Sequence, residues 1–175
     1  MTEKIKMNPE IDLKEIQIAG FKSNLTNFIK VMEDVRNIDP NCVIQLMDAD
    51  YVAGVEHVLH STIHAIKAFS RKENIAKDLG LEICIRTSGQ RQISQALKML
   101  GIRDGPVNIC AVAVGCGCNI MERLVDILGS RDDSVLKPDT NKLRSMYGIS
   151  VVELETTPKI SKILMEKTAL LIIET

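Results

Sequence analysis

The order of apolar runs and helical periods constrains the fold of this chain more than any other feature. Short strand-like runs alternate with segments in which apolar residues recur every three to four positions, and helical segments dominate the second half. The predicted strands are 12–19, 42–47, 81–86 and 108–114, with 169–173 as a last short strand. The predicted helices are 24–37, 50–72, 89–100, 119–128, 140–147 and two short ones that begin near 150 and 157. This order indicates an α/β domain with a mixed central sheet flanked by helices and a helical C-terminal half.

Glycine, proline and capping residues set the expected boundaries of these elements. Gly20 is expected to end the first strand, and Asn24 to cap the first helix. Gly101 follows the helix 89–100 and is placed as its C-terminal stop. Ser150 and Glu153 have the spacing of a capping box, which predicts a helix start.

Length and charge limit the domain count and the kinds of partner. The 175 residues form about one domain, 1–175, with the charged residues 1–10 as a candidate disordered segment. Lys and Arg number 22 against 23 Asp and Glu, so the net charge of −1 gives no bulk attraction to nucleic acid or to an anionic membrane. Aromatic residues make up 3% and are scattered, which argues against a base-stacking sheet. Any RNA contact would have to be local.

Apolar runs and cysteines indicate a cytoplasmic protein. No run of 18 apolar residues is present, and no apolar stretch follows the charged N-terminus, so we expect no membrane segment and no signal peptide. Three of the five cysteines, Cys42, Cys84 and Cys110, lie inside apolar runs. This placement is typical of buried free thiols in a reducing compartment.

The predicted helix 50–72 contains three histidines. His57, His60 and His64 fall within an arc of roughly 60°, about 150° from the centre of the apolar stripe, so we expect them outside the core. His60 and His64 have the spacing of a zinc-chelating pair, but Ser61 stands where a zinc peptidase would have its Glu. A solvated or partner-contacting face is the simpler interpretation, and a metal site is the alternative.

A Gly-Cys-Gly-Cys turn, residues 115–118, lies between a predicted strand and a predicted helix. Glycines at a helix start can hold a phosphate, but Ile120 stands where the dinucleotide fingerprint requires its third glycine. The two cysteines lack a second pair that would complete a zinc site. Turn geometry is therefore the default interpretation.

Residues 86–93 are the most informative segment, because they concentrate polar side chains where a predicted strand meets a predicted helix. In one interpretation, Ser88 or Thr87 caps that helix, which contributes about 1 kcal/mol. In the other, Arg86, Gln90 and Arg91 form a local site for a phosphate or a ribose together with exposed backbone N–H groups.

The run of residues 83–107, ICIRTSGQRQISQALKMLGIRDGPV, with HVLH at 57–60, resembles the kinase-binding small subunit of the archaeal KEOPS complex, which is related to the PRPK-binding protein of eukaryotes. The element order is similar from about residue 10 onward. The resemblance implies a non-catalytic accessory subunit of the machinery that installs threonylcarbamoyladenosine next to the tRNA anticodon. It implies two partners, the kinase-like ATPase subunit and the single-stranded 3′ CCA end of tRNA, and no cofactor.

The resemblance carries over to particular residues of this chain. Those that match the family's motif are Arg86, Ser88, Gly89, Gln90, Arg91 and Gln92, and the resemblance implies RNA contact for all of them except Gln92. Arg91 is the first candidate for an RNA-facing charge, and Arg71 and Lys72 match in kind, as the basic end of the long helix. Residues 165–172 resemble the family's ending and are expected to supply apolar contacts. The Gly-Cys-Gly-Cys turn departs from the family's acidic turn, and no residue is assigned to the kinase interface.

Two alternatives to an RNA-binding subunit stay open. The first is a structural adaptor that binds only the kinase. The second is a metal-dependent enzyme that uses the face formed by His57, His60 and His64.

Overall fold

Four strands form one antiparallel sheet in the computed structural model, which describes residues 15–171. The strands are β1 (Ile16–Leu25), β2 (Val43–Asp48), β3 (Gly105–Val114) and β4 (Ser130–Arg131). The helices are α1 (Phe28–Ile38), α2 (Gly54–Arg71), α3 (Leu79–Ser88), α4 (Ile93–Leu100), α5 (Ile120–Leu128), α6 (Thr140–Tyr147), α7 (Val151–Thr156) and α8 (Ile160–Leu170). Short 3₁₀ helices cover Ala49–Tyr51 and Asp133–Leu136. The predicted α/β class, with helices around a central sheet and a helical C-terminal half, is confirmed.

The strand order is β2-β3-β1-β4. β1 pairs with β3 from Ile16 opposite Val114 to Leu25 opposite Gly105, and β2 pairs with the other side of β3. Every pairing among the described residues is antiparallel. β3 is therefore an inner strand with a partner along each edge.

Helices cover both faces of β3, which explains its nearly unbroken apolar sequence. Cys110, Val112 and Val114 pack in a cluster with residues of α2, α3 and α4. Ile109 and the alternate alanines, Ala111 and Ala113, pack on the opposite face with residues of α1 and α5.

The strand predicted at 81–86 is wrong, because these residues lie in the helix α3. The side chain of Asp78 accepts a hydrogen bond from the Leu81 N–H and caps the helix, and Gly89 ends it with φ 66°. Ile83 and Ile85 are fully buried, and so is the intervening Cys84. A helix that is buried on nearly all sides lacks the apolar stripe that identifies a surface helix, so its sequence imitates strand alternation.

The first strand does not end at Gly20. β1 continues to Leu25, and Gly20 lies where a Cβ would stand 2.6 Å from the backbone oxygen of Asp132. The glycine thus permits a close approach of two chain segments. Asn24 consequently belongs to β1, and Asn27 caps α1.

Several boundaries in the second half match the sequence predictions. α5 and α6 are confirmed, and Ser150 and Glu153 form the predicted capping box. The segment 130–139, predicted as a loop, contains β4 and a 3₁₀ helix. The helix predicted from 157 begins at Ile160, and residues 169–171 belong to its end and not to a strand. The predicted segments 1–10, 12–14 and 172–173 lie outside the described residues.

The cysteine prediction is confirmed in part. Cys84 and Cys110 are buried free thiols, but Cys42 forms a disulfide with Cys116 over a sequence separation of 74. The pairing of β2 with β3 brings the residue before Val43 close to the turn after Val114, which sequence spacing alone does not reveal. Within residues 15–171 no helix is both long and apolar enough to cross a membrane.

Candidate functional site

The histidine face of α2 is partly covered by other helices: His57 is buried, whereas His60 and His64 are half-buried. α2 packs against α3 and α8, and the Ser61 hydroxyl lies 3.3 Å from the Thr168 hydroxyl of α8. His57 is 0% exposed, so the prediction that it lies outside the core is wrong. The sequence periodicity of α2 identified one apolar stripe. A second, more polar stripe, which includes Ser61, packs against α8.

Both ring nitrogens of His57 are used within the protein. Nδ1 accepts a hydrogen bond from the Ala53 N–H at 3.0 Å, and Nε2 donates to the Thr87 carbonyl at 3.1 Å. Burial lowers the pKa of His57 to about 4, so the ring is neutral at physiological pH. A metal that used all three histidines would have to break one of these hydrogen bonds.

His60 and His64 form a close pair, with ring centroids 4.4 Å apart. Desolvation and the neighbouring His60 ring lower the pKa of His64 to about 4. Among residues 15–171, no group of three or more His, Cys, Asp or Glu side chains is placed to hold a metal ion.

A basic pocket of about 620 Å³ lies at the C-terminal end of α2, next to His64. Its basic side chains are Lys67, Arg71, Lys72, Arg86 and Arg91. Its other lining residues are His64, Ala68, Glu73, Asn74, Ile75 and Leu171. Even with Arg86 paired to the buried Glu82, four lining cations against the one lining carboxylate, Glu73, make this pocket electropositive in a chain whose net charge is −1.

The end of α2 shapes one wall of the basic pocket. Lys72 has φ 61° and is the only non-glycine residue with positive φ in the described part of the chain. The N–H of Glu73 donates to the Ala68 carbonyl at 2.9 Å, and the N–H of Lys72 donates to the Phe69 carbonyl at 3.1 Å. This Schellman-type end turns the chain so that residues 72–75 line the pocket.

A buried ion pair forms the floor of the basic pocket. Arg86 and Glu82 have side-chain exposures of 3% and 0%. Glu82 Oε1 accepts from Arg86 Nε at 2.8 Å and lies 2.7 Å from Nη2. Glu82 Oε2 accepts the N–H groups of Ile75 and Ala76 at 2.8 and 2.7 Å, so one carboxylate links Arg86 to the pocket wall.

The third nitrogen of the Arg86 guanidinium, Nη1, is buried and has no hydrogen-bond partner among residues 15–171. An unpaired buried donor costs about 1–3 kcal/mol, and more when it is charged. Because Arg86 lines the pocket, an anion or a carbonyl oxygen bound there could accept this hydrogen bond.

Arg91 lines the same pocket from the segment between α3 and α4. Its Nη1 donates to the Leu171 carbonyl at 3.3 Å, at the C-terminal end of α8. Arg91 is half-buried, and no acidic partner pairs with it in the described part of the chain. α8 thus holds Arg91 at the pocket and also adds the apolar side chain of Leu171.

Four of the seven predicted RNA-contacting residues meet at the basic pocket, namely Arg71, Lys72, Arg86 and Arg91. Ser88, Gly89 and Gln90 do not line it. Ser88 is buried in the last turn of α3, where its hydroxyl donates to the Ile85 carbonyl and accepts from the Gln90 N–H. The interpretation that Ser88 or Thr87 caps the next helix is therefore wrong, because both residues belong to the last turn of α3.

Sequence reasoning missed Lys67, Asn74 and Ile75, which also line the pocket. A signal was present in the helical spacing of His64, Lys67 and Arg71, which places the three on one face of α2. Of the C-terminal segment 165–172, which was expected to supply apolar contacts, Leu171 does so in the pocket.

The Gly-Cys-Gly-Cys turn lies elsewhere, between β3 and α5. Gly115 has φ 70°, which favours glycine, and Gln17 Nε2 donates to the Gly117 carbonyl at 3.1 Å. These features fit the default interpretation of a tight turn.

Comparison with known proteins gives one family and two relatives. The family described as "Kinase binding protein CGI-121" matches residues 22–171. A "Regulatory protein Cgi121" of Methanocaldococcus jannaschii is 39% identical over 104 residues, which cover 57% of this chain and 64% of the relative. A "KEOPS complex subunit Cgi121" of Pyrococcus abyssi is 35% identical over 89 residues, which cover 51% and 52%. Each match thus spans less than two thirds of the relative's own length.

Proposed function

Because the chain belongs to the CGI-121 family of kinase-binding proteins, we propose that it is a KEOPS subunit that binds a kinase-like partner and holds the 3′ CCA end of tRNA in the basic pocket. In this role it has no active site of its own. The observation that supports RNA binding most strongly is the buried, unpaired Nη1 of Arg86 beside four further cations.

The charges of the basic pocket suit the phosphates of a single strand. Lys67, Arg71 and Lys72 are exposed, so they can follow a flexible backbone, whereas Arg86 is fixed by Glu82. Charge-assisted hydrogen bonds from Arg to phosphate are about twice as strong as neutral ones. Local attraction is therefore available although the chain as a whole is nearly neutral.

The pocket also offers surfaces for unstacked bases. Its lining contains no Phe, Tyr or Trp, so the apolar contacts come from Ala68, Ile75 and Leu171, and the imidazole of His64 is its one aromatic ring. Arginine guanidinium planes provide a second kind of stacking surface. A cavity of about 620 Å³ is in the usual range for small-ligand sites, which suits splayed nucleotides.

The test is a gel-shift comparison of intact tRNA with the same tRNA trimmed of its CCA end. We expect weaker binding of the trimmed tRNA, since each stacked base typically contributes about 1–3 kcal/mol. Equal affinities would refute binding of the 3′ end.

A second measurement separates this function from that of an adaptor that binds only the kinase. The chain alone and the chain with its kinase-like partner are each passed over immobilised tRNA. The proposal predicts that the chain alone is retained. An adaptor would co-purify with the kinase and show no tRNA retention by itself.

A further inference from the structure

Three of the five cysteines lie at one end of the sheet, where Cys42 comes close to Cys116 and Cys118 although it is 74 residues from Cys116 along the chain. The disulfide joins Cys42, directly before β2, to Cys116, within the turn that follows β3. Cys118 is a free, exposed cysteine two residues beyond Cys116. One sulfur of the disulfide and an exposed thiol therefore share the Gly-Cys-Gly-Cys turn.

The turn is built so that these sulfurs can change partners. Cys116 lies between Gly115 and Gly117, and a Cβ added to Gly115 would meet no atom within 4 Å. Gly115 lies in open space, and a Cβ at Gly117 would meet only Asn119 Oδ1, at 3.4 Å, so the turn can change conformation without displacing packed side chains once the Gln17 hydrogen bond to the Gly117 carbonyl is released. Cys118 can thus approach the Cys116 sulfur by a change within the turn itself.

The remaining two cysteines are separated from this chemistry. Cys84 and Cys110 are buried, and burial raises the pKa of each thiol to about 12. Because the thiolate is the attacking species in disulfide exchange, these two thiols are unreactive at neutral pH.

We propose that Cys42, Cys116 and Cys118 form a thiol–disulfide exchange site in which the bond to Cys116 moves between Cys42 and Cys118. The Cys118 thiolate attacks Sγ of Cys116, the Cys116–Cys118 bond forms, and the Cys42–Cys116 bond breaks. Cys42 leaves as a thiolate and takes up a proton from water. One disulfide and one thiol are present before and after, so the step needs no oxidant or reductant.

Exchange would change what holds the edge of the sheet. β2 is an edge strand whose strand partner is β3, and the Cys42–Cys116 bond is the covalent link at the start of this pair. When the bond moves to Cys118, β2 is held by hydrogen bonds and packing alone. The position of the disulfide thus determines whether the segment between α1 and β2 is covalently linked to the turn after β3. This inference is independent of RNA binding, because the turn does not line the basic pocket.

The test is disulfide mapping of the full chain, purified without reductant and held at mildly alkaline pH. After an acid quench, free thiols are blocked with N-ethylmaleimide under mildly acidic conditions and the chain is digested with pepsin. We expect two species: one with Cys42 linked to the peptide that contains Cys116, and one with Cys42 blocked and an internal Cys116–Cys118 bond. The second species should become detectable faster as the pH rises, because the thiolate fraction increases.

Two variants make the result decisive. Cys118→Ser, at an exposed position, should give the Cys42–Cys116 link alone, whereas Cys42→Ser, in which dissolved oxygen has to oxidise the two remaining thiols, should give the Cys116–Cys118 link alone. The proposal is overturned if the parent shows only Cys42–Cys116 at every pH. It is also overturned if Cys42 and Cys116 are both found blocked, or if Cys118→Ser still releases Cys42.

Discussion

The buried carboxylate of Glu82 offers a sharp test of how the basic pocket is held together. It accepts two contacts from the Arg86 guanidinium on Oε1 and two backbone N–H groups on Oε2. Glu82→Gln keeps the shape of the side chain but removes its charge and replaces one acceptor oxygen with an NH₂ donor. Whichever way the amide is turned, its NH₂ group faces other donors.

The expected loss of stability follows from the burial of the pair. Removing one partner of a buried ion pair costs about 3–5 kcal/mol, because the other charge stays buried without compensation. Side-chain exposures of 0% and 3% place this pair at the buried extreme. For a chain of this length, about 2–4 °C of Tm corresponds to 1 kcal/mol, which gives a fall of roughly 6–20 °C.

Urea and thermal unfolding, followed by circular dichroism, measure this loss. The matched control is Glu33→Gln at an exposed position of α1, which should change the free energy of unfolding by less than about 0.5 kcal/mol. A double variant, Glu82→Leu with Arg86→Met, should recover much of the stability, since apolar pairs often replace buried ion pairs without loss. The double variant should nevertheless bind tRNA more weakly than the parent, because it lacks the Arg86 guanidinium. A Glu82→Gln loss no larger than that of the control would refute the assigned role of Glu82.

Three further predictions concern other parts of the molecule. Gly20→Ala places a Cβ 2.6 Å from the Asp132 backbone oxygen, so it should destabilise by about 1–3 kcal/mol in urea unfolding. Gly117→Ala, where the nearest atom is 3.4 Å away, is the control, and equal effects would contradict this packing. The pKa of His57 and that of His64 are lowered from 6.5 to about 4 in the folded chain, so the unfolded chain binds more protons between these values. Stability should fall as the pH drops from 6.5 towards 4, by up to about 1.4 kcal/mol per pH unit for the buried His57 and by less for the more exposed, solvent-screened His64, and a flat profile would contradict neutral histidines. With five basic side chains at the pocket, tRNA binding should depend on salt with a logarithmic slope no steeper than about −3.5. A steeper slope in a filter-binding titration would require phosphate contacts elsewhere.

The fold class was predictable because the sheet and its covering helices have regular apolar periods. β3 illustrates this, since its apolar run lies between two helical layers. α3 shows the limit of the method. Its burial by α2, α4, α8 and β2 erases the polar face that would have distinguished a helix from a strand at 81–86.

The candidate site was predictable in its residue types and not in its assembly. Arg86 and Arg91 lie in the motif of residues 83–107, but only the packing of α2, α3 and α8 on one another joins them to Arg71 and Lys72. The same packing buries His57, which the periodicity of α2 placed outside the core. Long-range contacts of this kind have no signature in a single sequence.

The disulfide could not be predicted for the same reason. Cys42 and Cys116 are 74 residues apart, and their Cα atoms come within 4.9 Å only because β2 pairs with β3. The interpretation of Cys42 as a free thiol rested on its apolar neighbours. These neighbours are equally compatible with a strand end beside a turn.

The measurement that tests the central claim most directly is the affinity of charge-reversed variants for full-length tRNA. Arg91→Glu and Lys67→Glu each remove a cation from the basic pocket, whereas Lys137→Glu reverses an exposed charge that does not line it. A charged hydrogen bond contributes about 1.5–3 kcal/mol, so the two pocket variants should each bind roughly 10- to 100-fold more weakly. Lys137→Glu should bind as the parent does, and all three should keep the parent's far-ultraviolet spectrum. If folded Arg91→Glu and Lys67→Glu bound tRNA as tightly as Lys137→Glu, the basic pocket would not be the RNA site.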